Sequence, residues 1–105
     1  MSKPKQWSRD HVMGYLAAKA SFTRDRKQPM IRVRIGAGDG ESGAALKRVL
    51  GGVFFSSSTF WQARGPQLID LLPELDQHLP PGRKRVQFEV WLQRHELEFA
   101  AALHD

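Results

Sequence analysis

A chain of 105 residues with 41% hydrophobic residues suffices for one domain, residues 1–105, and is too apolar for a disordered tail. It contains no cysteine, which excludes disulfides, cysteine-ligated zinc and thiol nucleophiles together. The net charge of +5 is unevenly placed: residues 1–34 hold nine Lys/Arg against Asp10 and Asp25, whereas the remainder holds seven against nine acids, so one end favours a polyanionic partner, most simply nucleic acid. No apolar signal core follows Met-Ser-Lys-Pro-Lys and no stretch reaches the length of a membrane span, so the expectation is a soluble cytoplasmic protein with no membrane partner.

The first element is a helix. Ser8 is a good N-cap, Trp7 and Val12 sit where a hydrophobic staple forms, and Val12, Tyr15, Leu16 and Lys19 follow helical spacing to a stop near Ala20. Gly14 and Ala18 lie four residues apart, a spacing that lets two helix backbones approach closely. They equally suit packing on the chain's own sheet. Ser21–Arg24 reads as a short strand and Asp25–Pro29 as a polar turn. Met30–Ile35 alternates, with Ile31, Val33 and Ile35 on one face and Arg32 and Arg34 on the other, which predicts a half-buried antiparallel strand with a cationic outer face.

Gly36–Gly43 reads as a loop before a helix over Ala44–Leu50, ended by Gly51-Gly52. The loop lacks the Gly-Lys-Ser/Thr ending of a phosphate loop, which excludes a nucleotide site; Asp39 or Ser42 there is a helix cap. Val53–Ser56 and Thr59–Arg64 predict a second hairpin. Gly65-Pro66 opens a third helix that Pro73 kinks or splits, Pro80-Pro81-Gly82 breaks the chain, and a last helix runs from about Lys84 to His104. On it Phe88, Trp91, Leu92 and Phe99 are core, and Glu89, Glu96 and Glu98 the solvated side. His11, His78, His95 and His104 show no metal-ligand spacing, and Ser56-Ser57-Ser58 has no base beside it. The fold class is α+β in the order αββαββα(α).

Arg24, Arg26 and Lys27 in the first hairpin arm, with Arg32 and Arg34, form a basic surface suited to DNA contact. Ser56, Ser58, Gln62 and Arg64 are further candidates from the second hairpin, although a one-residue slip reverses their face.

The element order and the run Val12-Met13-Gly14-Tyr15-Leu16-Ala17-Ala18-Lys19-Ala20, followed by Ser21-Phe22, resemble the LAGLIDADG homing endonuclease family. The Leu50-Gly51-Gly52 helix end, the Trp61 strand running into Gly65, the leucines around Pro73 and the Arg83–Phe88 helix start extend the resemblance over nearly the whole chain. It implies a saddle-shaped four-stranded antiparallel sheet over the DNA major groove, with helices on one face. Two signature helices would pack through Val12, Met13, Gly14, Ala17 and Ala18, giving a homodimer on a near-palindromic duplex.

Where the family keeps its metal-binding acid this chain has Lys19, and Ala17 occupies the earlier acidic position. An ammonium group cannot ligate the metal that phosphate hydrolysis requires. The resemblance so read implies no metal, no cofactor and no cleavage, with Lys19 set toward backbone phosphate, or toward solvent at the helix end. The expectation is a sequence-specific DNA-binding protein, a transcriptional regulator among the roles open to it. The alternatives are an active or engineered endonuclease with another acid such as Asp25 on the metal, an RNA-binding maturase-like protein, and a protein-interaction module.

Overall fold

The computed structural model describes residues 7–26, 28–36, 38–54 and 59–96, without the side chains of residues 25 and 66. The Ser8 hydroxyl accepts the His11 N–H at 3.1 Å and so satisfies one of the amides left without a partner at the start of α1 (Arg9–Lys19). Ala20 takes up extended backbone, and α1 passes straight into β1 (Ala20–Asp25). β1 pairs antiparallel with β2 (Gln28–Arg34), and β2 with β3 (Phe60–Arg64), in the sheet order β1-β2-β3. Between β2 and β3 lies α2 (Gly40–Leu50). After β3 come a 3-10 turn (Gly65–Leu68), α3 (Leu72–His78) and α4 (Arg83–Arg94).

The chain is therefore α+β, with four helices and a three-stranded antiparallel sheet among the described residues. The four-stranded expectation is not met there. Gly51 and Gly52, both at φ 81°, turn the chain so that Val53 exchanges two backbone hydrogen bonds with Gln62, at 2.9 and 3.1 Å. Among the described residues the ladder shows that single bridge, and the next residue, Phe54, sets its ring against Gly43, where an added Cβ would stand 2.4 Å from it. Phe55–Ser58 lie outside the described residues. Gly52 has no alternative residue: its Cβ would stand 2.6 Å from the Gln62 carbonyl oxygen.

One other boundary differs from expectation, and one lies partly outside the described residues. α2 begins at Gly40, four positions before Ala44, and α4 is described as far as Arg94, with the predicted stretch beyond residue 96 outside the described residues. Pro73 sits in the first turn of α3, so the predicted third helix is split into the 3-10 turn and α3.

One face of the sheet is covered by helices. Ile31, Val33, Trp61 and Ala63 share a buried core with Val12, Met13 and Leu16 of α1, Leu46 of α2 and Leu75 of α3. The Trp61 indole donates to the Gly51 carbonyl at 2.8 Å, so burying the ring strands no donor. α4 lies along β1: Phe22 packs on Phe88 and Trp91 with ring centroids 5.2 and 5.3 Å apart, and the Trp91 indole donates to the Thr23 carbonyl at 2.6 Å. Among the described residues no helix is long and apolar enough to cross a membrane.

Candidate nucleic-acid interface

The face of the sheet turned away from the helices follows from strand alternation. Ser21, Arg32 and Gln62 stand opposite one another across the three strands, Thr23, Met30 and Arg64 form the next rung, and Arg34 pairs with Phe60. Residues of the same parity in one strand share a face, so Arg32 and Arg34 lie together as the alternation predicts, and the register with β3 sets Gln62 and Arg64 beside them. The described side chains of this face include no carboxylate.

Arg34 and Arg64 are exposed, and Arg32 and Gln62 are half-buried. The Arg32 guanidinium carbon sits 4.9 Å from the centroid of the Phe60 ring, a cation–π contact to its diagonal neighbour. Such a contact is worth about 0.5–2 kcal/mol, depending on how much water is excluded. The Nε of Arg32 is shielded from water and has no hydrogen-bond partner among the described residues. The stack thus steadies a charged side chain that no ion pair holds among the described residues. Phe60 is absent from the sequence prediction of the site. The signal was the same period-two alternation that carries Gln62 and Arg64, since Phe60 shares their parity.

The cations of the helix side are engaged differently. Arg9 of α1 donates through Nε to Glu74 of α3 at 2.9 and 3.0 Å, and through Nη1 to the Val49 carbonyl at 3.3 Å. Arg48 donates to the Trp7 carbonyl at 3.1 Å, and Lys84 to the Ala20 carbonyl at 2.7 Å. Arg85 pairs with Asp76 at 2.8 Å and donates to the Leu79 carbonyl at the end of α3. These groups tie elements together, whereas Arg32 and Arg34 have no carboxylate partner among the described residues.

Other predicted site residues fall elsewhere. Arg24 has the parity of Phe22, not of Ser21 and Thr23, and lines the groove beside α4; it does not join Arg32 and Arg34. The expectation that it does treats closeness in sequence as closeness on a face. Arg26 is exposed at the hairpin tip with φ 58°, a left-handed conformation uncommon outside glycine. Lys19 is exposed as the last residue of α1, immediately before β1. Lys27, Ser56 and Ser58 lie outside the described residues.

On α1 the residues expected at a dimer contact divide into two faces. Val12 and Met13 are 0% exposed and Ala17 is 5% exposed, all within the chain's own core, so their side chains are not presented to a partner. The helical period explains the division, because 12, 13, 16 and 17 form one stripe and 14 and 18 the opposite one. Gly14 and Ala18 are exposed, and a Cβ built on Gly14 meets no atom within 4 Å.

Above this stripe the Tyr15 hydroxyl is 3.5 Å from Asp39, whose other carboxylate oxygen accepts the Ser42 hydroxyl at 2.7 Å. Asp39 occupies the N-cap position of α2, yet its carboxylate binds side chains and not the helix amides. Burial, opposed by a hydrogen bond from Ser42 and reinforced by the Asp39 charge, holds the Tyr15 phenol above its ordinary pKa.

Among the described residues no three His, Asp or Glu side chains gather closely enough to hold a metal ion. No family model, curated protein or solved structure matches the chain.

Proposed function

We propose that this chain is a homodimeric, sequence-specific duplex-DNA-binding protein on a LAGLIDADG-like scaffold from which cleavage chemistry is gone. The observation that carries the reading is the sheet face opposite the core, where Arg32 and Arg34 stand with Gln62 and without any described carboxylate. A twisted antiparallel sheet with outward Arg and Gln has the chemistry to read base edges: Arg pairs with guanine and Gln with adenine in the major groove, while further cations contact phosphate. In the saddle, the chain at Val53 supplies the fourth strand beside β3. Two copies meet through the exposed Gly14–Ala18 stripe, which brings the two Lys19 ammonium groups near the local twofold axis. There they offer fixed positive charge to the phosphates that metal ions bridge in a nuclease.

The test is selection of bound duplexes from a random pool by the purified chain. The expected product is a twofold-symmetric motif spanning two major-groove segments, bound with an affinity that falls steeply with salt. An unenriched pool, or binding that barely changes between low and physiological salt, overturns the reading. Preference for structured RNA over duplex in competition would assign the same face to a different nucleic acid.

A further inference from the structure

Ser21–Arg24 of β1 and one stripe of α4 enclose an open groove of about 940 Å³. Its α4 wall is built from positions four residues apart on one helical face. Val86 and Val90 are 57% and 43% exposed there, apolar side chains that no described residue covers. Phe22, packed on Trp91, forms the floor. Arg24 and Arg94 stand at the margins, both exposed, and no carboxylate lines the groove among the described residues.

We infer that this groove docks an acidic amphipathic segment of a partner protein. Each half of the lining excludes a simpler occupant. Duplex DNA would offer phosphate to Arg24 and Arg94 but nothing apolar to Val86, Val90 and Trp91. A neutral apolar segment would fill the floor and leave two arginines facing it unmatched. A segment with an apolar stripe flanked by Asp or Glu satisfies both, and opposite charge at the rim speeds its encounter and fixes its register. The groove borders the proposed DNA face along Ser21 and Thr23, whereas Arg24 alternates to the other side of β1 from the rung that holds Arg32. The inference does not require the DNA reading.

The experiment is selection of a random peptide library displayed on phage against the full chain, then fluorescence anisotropy of the selected peptides. The pool is expected to converge on bulky apolar residues at helical spacing interleaved with Asp and Glu. Val90→Asp and Arg94→Glu should each weaken binding by at least about tenfold, and Arg34→Ala should leave it unchanged. Both altered positions are exposed, and Val90→Ser provides a milder probe should Val90→Asp fail to fold. Any of four results overturns the inference: no convergence, convergence on basic or neutral peptides, affinity indifferent to the groove variants, or duplex DNA that displaces the peptide and itself loses affinity on Arg94→Glu.

Discussion

Replacing Gly14 by alanine should move two measurements in opposite directions. Gly14 is exposed in the middle of α1, and a Cβ there meets nothing within 4 Å. Within a single chain the change removes only the entropic cost of a helical glycine, so the fold gains about 0.5–1 kcal/mol. For a domain of this size that is a rise of roughly 2–8 °C in thermal midpoint. Between two closely packed helices the same methyl group lies in the contact. Self-association measured by sedimentation equilibrium should weaken by about tenfold, or about 1.4 kcal/mol, and Gly14→Leu should abolish it. Monomer stability must be read by urea unfolding at concentrations below dimer dissociation, because association raises the midpoint of the linked equilibrium. Wild-type self-association by Gly14→Leu would remove this face from the dimer, and a less stable Gly14→Ala monomer would contradict the open space around Gly14.

Arg34→Ala should lower DNA affinity for all sequences alike and reduce the slope of log K against log salt by about 0.9, the contribution of one phosphate contact. Arg32→Lys should leave that slope unchanged and relax the preference at one base pair by about 1–3 kcal/mol; the reverse assignment of slopes would refute the roles given to the two residues. Tyr15 is the sole tyrosine, so tyrosinate absorbance reports it alone. Its folded pKa is raised, so the folded state holds the proton more tightly. The corresponding stability is complete below the unfolded value near about 10 and is lost as pH climbs through the folded value. An absorbance midpoint at or below that of an unfolded tyrosine peptide would refute the burial argument. Gly52→Ala should cost upwards of about 1 kcal/mol in urea unfolding, since it combines a φ of 81° with a Cβ 2.6 Å from a carbonyl oxygen; a neutral substitution would mean that the Gly51–Val53 turn is not as described.

What the sequence made legible was local. The Ser8 cap, the alternation from Ile31 to Arg34, the glycine stop at Gly51 and the splitting of a helix at Pro73 depend on residues within a turn or two of one another and are present, whereas Met30 is buried on the arginine side of β2, against the alternation. The start of α2 was not legible, because Gly40 and Gly43 carry poor helix propensity and argue for loop. Packing overrides propensity there: Gly43 is buried, and only its missing side chain lets the Phe54 ring sit on the helix. On the candidate face, parity made legible that Arg32 goes with Arg34 and Gln62 with Arg64, while the register of β2 with β3 decides that the two pairs share a face. The Arg32–Phe60 stack was not legible, since it is set by the register between strands separated by the whole of α2. Arg24 shows the converse, a residue two positions from Phe22 whose parity places it on the other side from the arginines it accompanies in sequence.

Net charge becomes informative only when each cation is asked what it already holds. Arg9, Arg48, Lys84 and Arg85 hold carboxylates or backbone carbonyls of other elements, so a polyanion recruiting them would have to break contacts that join α1 to α3, α2 to the chain before α1, α4 to β1 and α4 to α3. Single exposed pairs of this kind contribute about 0.2–1 kcal/mol, and charged donors to backbone carbonyls somewhat more. Arg34 holds no carboxylate among the described residues, so its removal should change folding stability by less than about 0.5 kcal/mol. The two groups should therefore separate under alanine substitution. Arg34→Ala loses DNA affinity and keeps its unfolding midpoint, while Arg85→Ala loosens the end of α3, lowers the unfolding midpoint and keeps its DNA affinity. Equilibrium unfolding and duplex titration on the same preparations decide the matter. If Arg85→Ala weakened DNA binding as much as Arg34→Ala while both remained folded, binding would follow total charge and the sheet face would have no special role.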